Sequence, residues 1–212
     1  MLKLVANITM LLDHIGYLFF PDTAWFRIVG RISMPLFAYG VAKGSVHSIN
    51  NNSQIKYLLN LLFFALISQV PFMLFSRIEK LNIGFTWLLA LLVLFFYQQI
   101  KNIWSKWGNI LGLCILSELV HVEYGWFGVL LPLLFHVLLQ EHSSYLFCLN
   151  CILIGILLHR DNPIQIFSCF SLLLIRKLQK YDLMVRIPKW IAYSFYPVHM
   201  LILVFIQSII IH

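Results

Sequence analysis

Charge is scarce in this sequence, and negative charge is the scarcer kind. Charged residues make up 11% of the 212, with 8 Asp and Glu against 15 Lys and Arg. A soluble domain carries about 25% charged residues, so too little polar surface is present to cover a globule in water. There is no Walker motif, no G-x-S-x-G elbow and no H-E-x-x-H. That excludes the usual nucleotide-hydrolysing, serine-hydrolase and zinc-protease sites. Internal repeats, low-complexity tails and a second domain are also missing, so residues 1–212 read as one domain. Only Lys3 precedes the first apolar run and no A-x-A-like cleavage site follows it, so the run reads as a retained span rather than a signal peptide. Cysteine is limited to Cys114, Cys148, Cys151 and Cys169, all in apolar segments. The C-x-x-C at 148–151 lacks the βαβ context or further ligands that redox or metal chemistry needs. The cysteines read as small packing residues, and no metal is expected.

What is present is apolar: 61% hydrophobic residues and a mean hydropathy of +0.87. This composition implies an all-α, polytopic membrane bundle. Polar clusters divide the chain into about nine candidate spans, at roughly 3–21, 24–43, 57–77, 82–100, 108–121, 125–140, 144–159, 163–178 and 189–211, taking about 17–25 residues as the ordinary length. The fifth, seventh and eighth are short. With this alternation the N-terminal side collects ten loop Lys and Arg, among them Lys43, Lys101, Arg176 and Arg186, and the other side four. By the positive-inside rule the N-terminus is cytoplasmic. The same asymmetry accounts for the net charge of +7, and the loops are too short for a nucleic-acid-binding patch. Trp25, Trp87, Trp104, Trp107, Trp126 and Trp190 all fall near span ends, as an aromatic belt would place them.

Against that background, ionisable residues inside spans stand out, because each costs about 2.5–3.5 kcal/mol at the bilayer centre and therefore faces the bundle interior or a wet cavity. "MLLDHIGYLFF" places Asp13 and His14 about 15 Å into the first span at 1.5 Å per residue. "WFRIVGRISMP" places Arg27 and Arg31 on one face of the second, with Pro35 expected to kink it. "AYSFYPVHM" places His199 at similar depth, two residues after the helix-breaking Pro197, and His136 is comparably deep in the sixth span. Adjacent helical residues diverge by about 100°, so Asp13 and His14 are not expected to face one another. Arg31 is a natural ion-pair partner for Asp13, and Arg27, near the interface, either snorkels or adds to an anion site. In "LNIGFTWLL", Asn82 and Thr86 share a face and either line a cavity or bond neighbouring helices. In "SELVHVEYGWFG", Glu118, His121, Glu123 and Tyr124 form a polar outer loop without metal-ligand spacing.

The stretches "MLLDHIGYLFFP", "RIVGRISMPLFAYGVAKG", "ALISQVPF", "LNIGFTWLL", "EYGWFGVLLPLLF" and "FYPVHMLIL", in that order along nearly the whole chain, resemble the TraX family. That family includes a conjugal-transfer protein that acetylates the N-terminus of pilin. It is also similar to the wider group of transmembrane acyltransferases, which includes acyltransferase-3 proteins and the lysosomal heparan glucosaminide N-acetyltransferase. The resemblance implies a bacterial cytoplasmic-membrane enzyme moving an acetyl group from cytosolic acetyl-CoA to an extracytoplasmic acceptor: a pilin amine, a glycan or a lipid-linked glycan. His14 then matches the catalytic histidine, Arg31 the arginine of the second span, and His199 the polar position of the last.

Imidazole suits this chemistry, as base or acyl carrier. The expected site is His14, Asp13 and Arg31 for catalysis, His199, Arg27, Lys177, Lys180 and Lys189 for the acyl-CoA, and Asn82, Thr86, Glu118 and Tyr124 for the acceptor. Two rivals use the same residues differently. A proton-coupled transporter would use Asp13 and His14 as a relay, though inverted repeats, common in such proteins, are not detectable. A non-catalytic pilus or envelope assembly protein would tolerate loss of His14.

Overall fold

A computed structural model describes residues 1–140, 148–153, 156, 163–178 and 188–211. Among these residues the chain is helical, and its only strand-like feature is an isolated parallel bridge between Leu81 and Val122. The helices are α1 (Leu2–Phe19), α2 (Ala24–Gly30), α3 (Ser33–Asn50), α4 (Gln54–Ser76), α5 (Ile83–Gln99), α6 (Ile103–Leu119) and α7 (Gly125–Gln140). A 3-10 turn (Pro163–Cys169) then leads into α8 (Phe170–Leu178), and α9 (Lys189–Ile211) follows. The helices form two compact units. One comprises Met1–Phe37, Val70–Arg77 and Ile152–His212, and the other Ala38–Gln69 and Ile78–Cys151.

Three described helices are long and apolar enough to cross a membrane: Leu2–Phe19, Gln54–Ser76 and Trp190–Ile210. Ile83–Gln99 and Gly125–Leu139 are apolar but shorter. The apolar faces they leave uncovered are those of a protein solvated by lipid. Phe63, Leu66, Val70 and Leu74 on α4, and Leu201, Phe205, Ile209 and Ile210 on α9, are all exposed, far more contiguous apolar surface than a water-soluble monomer shows. Trp25, Trp104, Trp107 and Trp190 are exposed, as a belt requires, but Trp87 is only 5% exposed. It packs within α5, whose buried residues include Gly84, Thr86, Ala90, Leu91 and Leu94, and so does not belong to the belt.

The expected second span, 24–43, is not one helix. The chain turns at Arg31 and Ile32, between α2 and α3. The physical reason is Pro35. In a continuous helix its missing N–H would have to serve the carbonyl of Arg31, and its ring would collide with that carbonyl. Breaking the helix upstream puts Pro35 in the first turn of α3, where N–H groups have no intrahelical partner anyway. The Ser33 hydroxyl then donates to the Gly30 carbonyl at 2.7 Å. The kink expected at Pro35 is thus a full break one turn earlier. At its other end α3 runs on to Asn50, seven residues past the expected end of the second span at 43. Of the expected seventh span, only 148–153 and 156 lie within the described residues.

In the second unit, α5 packs against α6 and α7. Asn82 fixes the start of α5: its side chain accepts from Gly84 N–H (2.8 Å) and donates to the Ala65 carbonyl (2.7 Å) and Gln69 Oε1 (2.8 Å). Asn82 is fully buried. Asn82→Leu removes the cap, leaving the Gly84 N–H without its acceptor, and takes the second donor from the Ala65 carbonyl. It is expected to lower stability by about 1–3 kcal/mol, the cost of a buried group left unsatisfied. Thermal unfolding in detergent checks this.

Candidate functional site

The site lies in the first unit, where α1 is packed against α2 and α9. Its polar groups fall into two clusters on different sides of α1, because consecutive residues point about 100° apart.

Asp13 turns towards α2. Its carboxylate pairs with Arg27 at 2.9 Å and stands 3.9 Å from the Arg31 guanidinium. The Arg27 guanidinium also donates to the Asp13 carbonyl at 3.4 Å and lies 5.5 Å from the centre of the Tyr17 ring. The expected Asp13–Arg31 pair is therefore the looser of two, and Arg27 is the nearer partner. The reason is local. Arg27 lies on α2 itself, whereas Arg31 falls in the turn after it. The side chains are 15% exposed for Asp13, 12% for Arg31 and 28% for Arg27. Arg31 Nε is buried without a hydrogen-bond partner among the described residues.

Gly30 makes the cluster possible. A Cβ there would collide with the Cβ and carboxylate of Asp13, so only glycine lets α2 approach α1 at this level. Overpacking of this kind costs about 1–3 kcal/mol. Gly30→Ala is accordingly expected to lower the detergent unfolding midpoint, whereas alanine at Gly112, with open space around it, leaves the midpoint near that of the parent.

His14 turns the other way. Its Nδ1 lies 2.7 Å from Nε2 of His199 on α9. The rings are nearly coplanar, 14° apart, with centroids separated by 4.9 Å. Phe75, at the end of α4, packs against His14 with centroids 4.5 Å apart, and Tyr196 presents its ring edge-on at 6.4 Å. His199 is 6% exposed. The divergence of Asp13 from His14 is as the helical geometry required. The walls formed by Phe75, Tyr196 and Tyr17 had no sequence signal, since an aromatic residue in an apolar span looks the same wherever it packs.

The helix directions are also fixed here. The Tyr17 hydroxyl, near the end of α1, donates to the Ser76 carbonyl at the end of α4 (3.2 Å), and Arg77 reaches Gln207 near the end of α9 (3.5 Å). The C-terminal end of α4 therefore lies beside the end of α1 and beside the last turns of α9, and the three segments run in the same direction. His14 sits five residues before Phe19, where α1 ends, and so about 7–8 Å from that end. This is nearer the end than the expected midplane position.

The other expected residues are placed as follows. Lys177 is exposed in the last turn of α8, beside Arg176. Lys189 opens α9, and Lys180 lies outside the described residues. Asn82, Thr86, Glu118 and Tyr124 belong to the second unit, where they are tied into its packing. The Thr86 hydroxyl donates to the Glu123 carbonyl at 2.6 Å, Glu118 Oε1 accepts from Trp126 N–H at 2.8 Å, and Tyr124 adopts a left-handed backbone with φ of 63°. His136 is buried there and stands edge-on to Tyr97 at 6.0 Å.

Comparison with known proteins adds identity to this geometry. A probable fimbrial assembly protein FimC, serogroup H1, of Dichelobacter nodosus is 28% identical over 233 residues, covering 95% of this chain and 92% of that protein. Uncharacterized protein RP591 of Rickettsia prowazekii (strain Madrid E) is 46% identical over 39 residues, 18% of this chain and 16% of that protein. No solved structure matches. The family model described as TraX protein matches residues 1–207, a range that takes in both polar clusters of α1 and their partners on α2 and α9, and the chain belongs to the TraX family.

Proposed function

We propose that the protein is an integral membrane acyltransferase that moves an acetyl group from cytosolic acetyl-CoA to an amine or hydroxyl on the extracytoplasmic side. The observation that carries this reading is the His14–His199 contact: two imidazoles hydrogen-bonded within an apolar bundle, one residue from an Asp–Arg–Arg cluster. An ion-paired cluster alone would serve helix packing. A base without a carboxylate of its own, walled by Phe75 and Tyr196, serves proton transfer.

In this reading the acceptor N–H or O–H gives its proton to His14 as its nitrogen or oxygen attacks the thioester carbonyl. The C–S bond then breaks, and the CoA thiolate takes the proton back from the imidazolium. Charge develops on the carbonyl oxygen at the attack, and the Arg31 guanidinium, whose Nε has no hydrogen-bond partner among the described residues, favours it from the Asp13 side of α1 through its field rather than by contact. The exposed Arg176 and Lys177, with Lys180 and Lys189, supply cations for the CoA phosphates on the cytoplasmic side. The parallel course of α1, α4 and α9 supports an odd number of crossings from α1 to α9, as nine spans give, and the excess of loop Lys and Arg on the N-terminal side supports a cytoplasmic N-terminus. The acceptor is a pilin amine or an envelope glycan.

The test is CoA release by the purified protein from acetyl-CoA, alone and with an amine-bearing peptide. Acetyl-CoA-dependent release that rises with peptide supports the reading. No release under any condition removes it. A second reading, a non-catalytic protein of fimbrial assembly, is favoured by the printed name of the Dichelobacter relative, and it predicts no release at all.

A further inference from the structure

His199 donates through Nδ1 to the carbonyl of Phe195 at 2.6 Å. A carbonyl only accepts, so the proton of His199 is on Nδ1, and in a neutral ring Nε2 is then an acceptor. Both rings are taken as neutral. The carboxylate of Asp13, next to His14 in the chain, pairs instead with the Arg27 and Arg31 guanidiniums, and an unpaired imidazolium in apolar surroundings is costly. Nε2 of His199 lies 2.7 Å from Nδ1 of His14. One nitrogen of that contact must carry a proton and it is not that of His199, so it is Nδ1 of His14. The near-coplanarity of the rings, with centroids 4.9 Å apart, is the arrangement of two imidazoles joined end to end by an in-plane N–H···N bond rather than stacked face on face.

We propose that His199 is the positioning residue for His14: the Phe195 carbonyl and His199 together hold the proton of His14 on Nδ1 and leave its Nε2 as the nitrogen with the available lone pair. This rests on the acyltransferase reading for its consequence, which is that Nε2 of His14 is the atom that takes the acceptor's proton. The tautomer itself stands on the geometry alone. The backbone carbonyl does here what a carboxylate does in other histidine dyads, through a second imidazole instead of directly. The arrangement adds no charge inside the bundle, whereas a carboxylate would need to be stabilised there.

Two substitutions separate positioning from structure. In His199→Gln the side-chain amide oxygen occupies the region of Nε2 and accepts from Nδ1–H of His14. In His199→Leu nothing accepts. With 15N-histidine-labelled protein in detergent, the wild type is expected to show His14 protonated on Nδ1 and unprotonated on Nε2. His199→Gln should keep that state, and His199→Leu should lose it. In turnover, His199→Leu is expected to lower kcat by about 10²-fold, the scale of a misplaced catalytic group, with KM for acetyl-CoA little changed and His199→Gln restoring most of the loss.

A wild-type spectrum with the His14 proton on Nε2 overturns the proposal, as does a His199→Leu spectrum unchanged at His14. If neither variant accumulates, the wild-type spectrum decides by itself. If the wild type releases no CoA, the acyltransferase reading fails while the tautomer assignment is still read from the spectrum.

Discussion

His14→Ala is expected to lower acetyl-CoA-dependent CoA release by roughly 10²–10⁴-fold, the contribution of a well-placed general base. The same change strips structure from the site. It leaves Nε2 of His199 without its donor and Phe75 with Tyr17 as its remaining ring neighbour, a cost of about 1–3 kcal/mol for the stranded acceptor. His14→Asn separates the two effects. Its side-chain amide N–H takes the place of Nδ1–H and still donates to His199, but an amide cannot accept a proton near neutral pH. Asn at position 14 should therefore unfold near the parent temperature and remain as inactive as Ala. Turnover that survives in the Asn variant would remove His14 from the chemistry.

The second large effect is on stability, and it belongs to Asp13. Asp13→Ala leaves the Arg27 and Arg31 guanidiniums close together with no carboxylate between them. Removing one partner of a buried ion cluster costs about 3–5 kcal/mol, because the remaining charge is uncompensated. That is a large part of the total stability of an ordinary domain, about 5–15 kcal/mol, and poor accumulation in the membrane is the expected phenotype. Arg27→Leu should cost less, since Arg31 remains 3.9 Å from the carboxylate. The double variant Asp13→Ala with Arg27→Leu should be more stable than Asp13→Ala alone, a non-additivity that only a coupled cluster gives. Unfolding midpoints for the four proteins test it. Strict additivity would mean that the cluster contributes no coupling.

Much of this arrangement is legible in the sequence, for identifiable reasons. The first, third, sixth and last expected spans match α1, α4, α7 and α9 closely, because long apolar runs bounded by polar clusters leave little choice. The opposed directions of Asp13 and His14 follow from helical geometry alone. The break at Arg31 is harder to read. A proline inside an apolar run marks a disturbance without saying whether the helix bends through it, as α4, α7 and α9 continue through Pro71, Pro132 and Pro197, or stops and restarts. Trp87 misleads for a related reason: a tryptophan one turn into a helix is a belt residue or a core residue according to which neighbours pack over it. Gly30 carries its role invisibly, since the carboxylate it makes room for is on another helix. The partner of His14 is 185 positions away; depth in the last span and the likeness of "FYPVH" to a known pattern single out His199, without showing that the two side chains touch.

The unequal lengths of α1 and α9 have a consequence for solvation. His14 and His199 share one level, yet α1 ends five residues beyond His14, at Phe19, and α9 continues twelve residues beyond His199, to Ile211. With both helices running the same way, α9 outruns α1 on that side by about 10 Å. A bilayer slab matched to α9 would reach well past the end of α1, where the chain turns through Pro21, Asp22 and Thr23, residues that do not settle in hydrocarbon. Local thinning of the bilayer at that turn is the expected consequence, and it would bring the membrane surface within about 7–8 Å of His14 along α1.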